Sequence, residues 1–353
     1  MNAAQDSPAA SLPLAGLTAL SIGVSTATGM AAKILRGLGA EVQRTARAGA
    51  AHRLSEDVER YLCRGIPEVD SGAQAEMLAT ADIVITEAGE DGLDVDGLVR
   101  RGAIVAEVSS WGESGPRSGE PAGELVIQSA GGLTNLVGEP GREPLVLGGN
   151  QVGYSAGMQL FSAIMIALTH RDRTGEGQVV RTSLLETVAY LQWKGAAFFQ
   201  ADGTLLARGR SSGPVVLPCS DGHLAFYYRD TDWNRVLELF GDERLGDERF
   251  ATTSGRAAHL PEVRRIMSET SRHRGKHDLY HAAQALGIPV GSVETVADIL
   301  DDDQYAHQRF LITVADGDRS WREPTLPFTF NNRRFHSSLD TADAVDALTE
   351  AGR

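Results

Sequence analysis

Gly138-Glu139-Pro140 and Gly148-Gly149-Asn150-Gln151-Val152-Gly153-Tyr154-Ser155-Ala156-Gly157-Met158 lead into an apolar run that closes at His170. Arg173-Thr174-Gly175-Glu176-Gly177-Gln178, Val179-Val180 and Ser183-Leu184-Leu185-Glu186 follow it. The apolar run reads as a helix, broken by Gly175 and Gly177 before a short strand. Glycines in such a stretch mark places where the backbone turns or approaches a ligand closely.

Upstream, Leu17-Thr18-Ala19-Leu20-Ser21-Ile22 reads as a buried strand. Gly29 to Leu38 reads as a helix, with Ala31, Ala32, Ile34, Leu35 and Leu38 at helical spacing. Gly39 ends it, and Ala40-Glu41-Val42-Gln43-Arg44 begins a second strand. This is a βαβ opening, which implies a parallel sheet with right-handed crossovers. Ala81–Thr86 and Ala103–Val108 are further buried strands, and helices around Gly157–Leu168 and Leu184–Phe199 extend the same α/β domain.

A polar, Gly-rich linker spans Gln200 to Pro214. The rhythm then changes to a hairpin over Val215–Phe226, turning at Asp221-Gly222. Helices follow at Asp232–Phe240, Leu260–His273, Lys276–Leu286 and Val296–Leu300. The expected organisation is therefore a large α/β domain over residues 1–204 and a smaller α+β domain over 205–320. Residues 321–353, including Pro324–Phe328, have too little core of their own and are expected to return to the first domain.

Composition narrows the function classes. The 353 residues fit two domains, and 42% hydrophobic with 23% charged residues is ordinary for a globular protein. A net charge of −14 argues against a nucleic-acid or anionic-membrane surface, while leaving room for a local basic pocket. Two cysteines, Cys63 and Cys219, offer no disulfide framework, so a reducing cytoplasm is expected. Met1–Ser11 lacks the basic and apolar regions of a signal peptide, and no run reaches the roughly 18 apolar residues of a membrane span.

Three segments together resemble the family III CoA-transferases, the CaiB/BaiF group that includes carnitine-CoA and formyl-CoA transferases and methylacyl-CoA racemases. The first is Leu14-Ala15-Gly16-Leu17 through Leu38-Gly39-Ala40-Glu41-Val42. The second is Ser109-Ser110-Trp111-Gly112-Glu113-Ser114-Gly115-Pro116 with the block from Gly138 to Glu186. The third is Gly287-Ile288-Pro289-Val290 through Asp298-Ile299-Leu300, closing on Leu326-Pro327-Phe328. The resemblance implies a Rossmann-like large domain, a small α+β domain and an interlocked dimer. It also implies a coenzyme A thioester as substrate rather than as a resident cofactor. In the family a side-chain carboxylate attacks the thioester, because an oxygen nucleophile that leaves as readily as it attacks can carry an acyl group both ways. Glycine N–H groups nearby would stabilise the oxyanion.

The same alignment places the nucleophilic aspartate at Gly153, which has no side chain. No aspartate or glutamate lies between Glu143 and Asp172, so no small shift of alignment restores it. The racemase histidine falls on Gly123, and Glu124 beside it is either a surviving catalytic carboxylate or a buried structural glutamate. Ser25, Thr26 and Ala27 form the loop expected to contact CoA, where a glutamine is frequent at the place of Thr26. Arg47 stands where an arginine meets the nucleotide phosphates, a contact that suits a guanidinium. Alone, an arginine after a strand is a solvated surface charge. Other contacts are eroded. The segment that usually carries a lysine-rich strand is shortened to Arg60–Gly65, the Glu-Asn-Phe-Arg turn reads Thr86-Glu87-Ala88-Gly89, and a lysine position falls on Pro121.

Tyr154 and Ser155 follow the vacant position and bear hydroxyls, but no histidine base lies near them in sequence. His277 and His281 lack the glutamate of a zinc-protease motif and read as a solvated helix face. No metal is expected. Trp111, Trp193 and Tyr154 suggest an apolar or aromatic acyl group. The expected function is that of a divergent family III chain, or a nucleophile-lacking subunit of a hetero-oligomer, handling an acyl-CoA and a small carboxylic acid. The alternatives are other chemistry on the same fold through Glu124 or Tyr154, or a protein that no longer uses CoA.

Overall fold

The computed structural model describes residues 12–336 except 24, 46–53, 90, 91, 140, 207, 209–214 and 333. They form two compact units, one within 1–208 together with 307–353 and the other within 209–306.

In chain order the first unit begins β1 (Thr18–Ile22), α1 (Thr26–Gly37), β2 (Glu41–Thr45), α2 (Glu56–Cys63), β3 (Glu68–Val69) and α3 (Ser71–Thr80). It continues β4 (Ile83–Glu87), α4 (Val95–Arg100), β5 (Ile104–Ser109), α5 (Glu124–Ala130), α6 (Gln151–Thr174), β6 (Gln178–Ser183), α7 (Leu184–Leu191) and α8 (Trp193–Asp202). The six strands are parallel in the order β3-β2-β1-β4-β5-β6. This is the doubly wound arrangement, and the order reverses between β1 and β4.

Alternation along the strands separates two cores. Ala19, Ile83, Ile85, Ile104 and Ala106 face the layer that holds α1 and α6, whereas Leu20, Ile22, Val84 and Val105 pack beneath Leu98 and Ala103 on the opposite face. Strands buried on both faces read as continuous apolar runs, which is how they look in the sequence. Helix α1 is buried along almost its whole length. It starts three residues before the apolar periodicity does, because Ser25 and Thr28 form a reciprocal capping box at its N-terminus.

Helix α6 runs for 24 residues and is long and apolar enough to cross a membrane by length and composition. Val152, Ala156, Leu160, Ile164 and Ala167 are buried, which marks it as a core helix packed on α1. Gly175 closes it in the left-handed conformation, at φ 77°. The helix expected over Leu184–Phe199 is in fact two, α7 and α8. The chain bends at Gln192, whose side-chain amide donates to Gly131 O at 3.0 Å and draws it out of the helix. The shortened segment Arg60–Gly65 is likewise not strand: it closes α2 and leads to the two-residue β3.

The second unit contains β7 (Val215–Cys219), β8 (Gly222–Phe226), α9 (Trp233–Phe240), α10 (Thr253–Ala258), α11 (Leu260–Ser271), α12 (Lys276–Ala285), β9 (Val290–Val293) and α13 (Val296–Asp301). Its antiparallel sheet, ordered β7-β8-β9, closes on Leu217, Phe226, Phe250, Met267 and Leu279. After α14 (Asp303–His307), the hairpin of β10 (Leu311–Asp316) and β11 (Arg319–Pro324) belongs to the first unit. Leu326 enters the core beside Gly37, and Phe328 stacks on Phe161 of α6 with ring centroids 6.5 Å apart. Glu323 of β11 is buried among Arg64 at 3.1 Å, His336 at 3.4 Å and Lys33 at 4.0 Å.

Candidate functional site

In doubly wound sheets ligands bind outside the carboxyl ends of the strands, where the strand order reverses. Here that place is the end of β1 and the start of α1, beside the end of β4. Ser25, at the end of β1, spends its hydroxyl on the capping box with Thr28. Thr26 and Ala27 are the first two residues of α1 and are buried. Gly89 lies in the turn after β4 with a positive φ and open space around it, and Pro121 is exposed. Arg47 lies outside the described residues.

The N-terminus of α6 arrives at the same place. Asn150 precedes it in the left-handed region, at φ 53° and ψ 40°, and provides no side-chain cap. The cap comes from another helix. Glu124, the first residue of α5, accepts from Val152 N at 2.8 Å through Oε1 and from Gly153 N at 3.3 Å through Oε2. A carboxylate suits this position because the first turn of a helix presents unpaired N–H groups at the positive end of its dipole. Gln128, one turn along α5 and fully buried, donates through Nε2 to Glu124 Oε1 at 2.9 Å and to Leu147 O at 2.9 Å. Its Oε1 accepts from Leu147 N at 3.0 Å. Gln128 therefore ties α5, the segment before α6 and the capping carboxylate into one network.

Gly153 is buried at the crossing of α6 over α1. A Cβ there would stand 2.7 Å from Thr26 Cβ and 3.1 Å from Thr26 Cγ2. One turn further, a Cβ on Gly157 would stand 2.6 Å from Ala27 O and 2.7 Å from Met30 Cβ. Two glycines four residues apart let the two backbones approach at van der Waals distance. Gly123, by contrast, is extended and has open space where its Cβ would be.

Tyr154 turns its ring into the α1–α6 core, and burial raises its phenol above the ordinary value. Its neighbour Tyr61 is pushed up to about 12, chiefly by burial, with Tyr154 and Glu323 adding to the shift. Trp111 is not an open pocket wall: it is buried with Ile127, Val152 and Val188, its indole donates to Glu120 O at 3.0 Å, and Arg117 lies over its ring at 3.3 Å. Trp193 is exposed on α8. Among the described residues no group of three or more His, Cys, Asp or Glu side chains is placed to hold a metal ion. Sequence reasoning missed Gln128. Its signal was available, since Glu124 and Gln128 are spaced i, i+4 and share one face of α5.

The family model for CoA-transferase family III matches residues 69–341. The chain belongs to that family. Among curated relatives it is 28% identical to the succinate–glutarate CoA-transferase of Agrobacterium fabrum over 242 residues, 65% of this chain and 60% of that protein. It is 26% identical over 279 residues to the BbsE subunit of the succinyl-CoA:(R)-benzylsuccinate CoA-transferase of Thauera aromatica, covering 74% of this chain and 65% of that protein. In both comparisons the chain spans less than two thirds of the relative's own length. The alpha subunit of the succinyl-CoA–L-malate CoA-transferase of Chloroflexus aurantiacus is 25% identical over 351 residues, 87% of this chain and 80% of that protein. A solved structure of a CaiB/BaiF family protein from Brucella suis superposes with a TM-score of 0.81 at 24% identity, covering 97% of this chain and all of that one. At that identity the likeness concerns the family III fold, a parallel α/β sheet unit with a smaller companion.

Proposed function

We propose that this family III chain binds an acyl-CoA thioester and acts as the subunit of a transferase that lacks the nucleophile, with the reacting carboxylate supplied by a sister chain. One observation carries this reading. By the family resemblance the place of the carboxylate falls on Gly153, and Glu124, which meets the Gly153 amide, has its oxygens engaged by Val152 N, Gly153 N and the Gln128 amide. A carboxylate that closes a helix end is a positioning group, poorly placed to leave its donors and attack a thioester carbon.

The relatives support a subunit role, since two of them are themselves subunits of succinyl-CoA-dependent transferases by name. The surface supports a partner. Leu125, Leu145, Ile166, Tyr190 and Trp193, all within the stretch from α5 to α8, are exposed apolar side chains that a partner chain would cover in this reading. In this reading Ser25 and the start of α1 line the thioester end, Arg47 meets the nucleotide phosphates, and the acyl group is that of a small carboxylic acid.

The test is reconstitution. The purified chain is titrated with succinyl-CoA by calorimetry, then mixed with a family III subunit that carries aspartate at the aligned position. Binding by this chain, and CoA transfer only by the mixture, is the expected result. Transfer by the isolated chain would sink the subunit reading. Should Glu124→Gln or Tyr154→Phe abolish such transfer while leaving the fold intact, the chemistry would instead belong to this chain. No affinity for any CoA thioester would sink both readings.

A further inference from the structure

We infer that the nucleophile position is closed as well as vacant: Thr26 occupies the room that a side chain at 153 would need, and the α1–α6 seam has become a packing contact. The inference deepens the proposed function and rests on its placement of the family carboxylate at Gly153. Three observations carry it. First, the nearest obstacle to a Cβ at 153 is Thr26 Cβ at 2.7 Å, an atom fixed to the backbone, so no rotamer change relieves it. Second, Thr26 cannot easily yield, because it lies between the two members of the Ser25–Thr28 capping box and is buried. Third, α6 cannot easily retreat. Its first turn is tethered by Glu124 at Val152 N and Gly153 N.

Supplying the missing carboxylate alone therefore does not recreate the family's nucleophile: the glutamine frequent at the place of Thr26 carries a Cβ too, so it is the close approach of α1 and α6 that closes position 153. Removing the Cβ at 26 opens the seam, whereas Thr26→Ala leaves the obstructing atom in place.

A double-mutant cycle on the full chain tests this, using Gly153→Ala, Thr26→Gly and the pair. Gly153→Ala is expected to lower the melting temperature by about 4 °C or more, since overfilling a packed seam is destabilising. The pair is expected to recover at least about half of the fall attributable to Gly153→Ala, because contacting residues couple. A Gly153→Ala protein that melts with the parent, or effects that simply add, would overturn the inference. A second measurement uses Gly153→Asp with and without Thr26→Gly, incubated with succinyl-CoA. The aspartate oxygen adds to the thioester carbonyl, the C–S bond breaks, and CoA leaves as a thiolate that takes a proton from water. Free thiol is expected from the double variant and not from Gly153→Asp alone; equal release from both would count against closure. The melting cycle does not depend on CoA, so failure of the functional reading leaves it intact.

Discussion

The Glu124 carboxylate and the Gly153 amide meet at 3.3 Å, while the other oxygen of the same carboxylate holds Val152 N at 2.8 Å. A side chain from the start of α5 thus finishes the first turn of α6, where Asn150 does not. The contact converts the positive end of a long helix from a surface that could receive a substrate oxyanion into one already neutralised from within.

Removing that carboxylate should be felt first as lost stability. Glu124→Ala leaves two helix N–H groups and the Gln128 amide short of an acceptor, at a cost of about 1–3 kcal/mol. Glu124→Gln keeps one acceptor oxygen and should cost less. Urea unfolding of the three proteins checks the order. An unchanged midpoint for Glu124→Ala would show that the carboxylate is not a cap.

Gln128 makes a sharper case because it is fully buried. Gln128→Leu preserves bulk but leaves both polar groups of Leu147 unpaired, so a loss of about 2 kcal/mol or more is expected. Hydrogen exchange at the Leu147 amide should quicken by at least about tenfold, and an unaltered exchange rate would remove Gln128 from the network.

Gly157 in α6 and Gly123, the residue before α5, should differ. Gly157→Ala drives a Cβ into Ala27 O and Met30, and overpacking of this kind costs about 1–3 kcal/mol. Gly123→Ala meets open space at an extended backbone, so it should stay within about 0.5 kcal/mol of the parent. Equal thermal midpoints for the two variants would contradict the close α1–α6 approach.

The buried cluster around Glu323 predicts an acid limb. Burial alone would raise the Glu323 carboxyl, but hydrogen bonds from His336 and Trp321 and the charges of Lys33 and Arg64 prevail and bring it to about 2. Burial holds Lys33 down at about 8 and keeps His336 below its ordinary value. A carboxyl depressed on folding adds stability that is complete above its unfolded value and is lost as pH falls toward its folded one. The advantage of the parent over Glu323→Gln should therefore shrink as pH drops from about 4.5 toward about 2. Thermal midpoints across that window decide it, and a gap that widens on acidification would contradict the assignment.

Most of the fold could be read from local pattern. The apolar runs at Leu17–Ile22, Ala81–Thr86 and Ala103–Val108 announced buried strands, and Gly175 announced the end of α6. Those signals are local because strand burial and helix termination depend on neighbours in the chain. The break at Gln192 was not visible, since its cause is an acceptor at Gly131, far off in sequence.

The site divides the same way. Residue types and spacing were enough to assign the family resemblance and to show that position 153 carries no carboxylate, because identity and order are properties of the chain alone. What fills the space left behind is a matter of packing between segments remote in sequence. Only the folded molecule brings Thr26 against Gly153 and turns Glu124 onto the first turn of α6, because both contacts depend on how closely α1, α5 and α6 approach. Helix approach is set by the summed volume of the whole core, which no local pattern encodes.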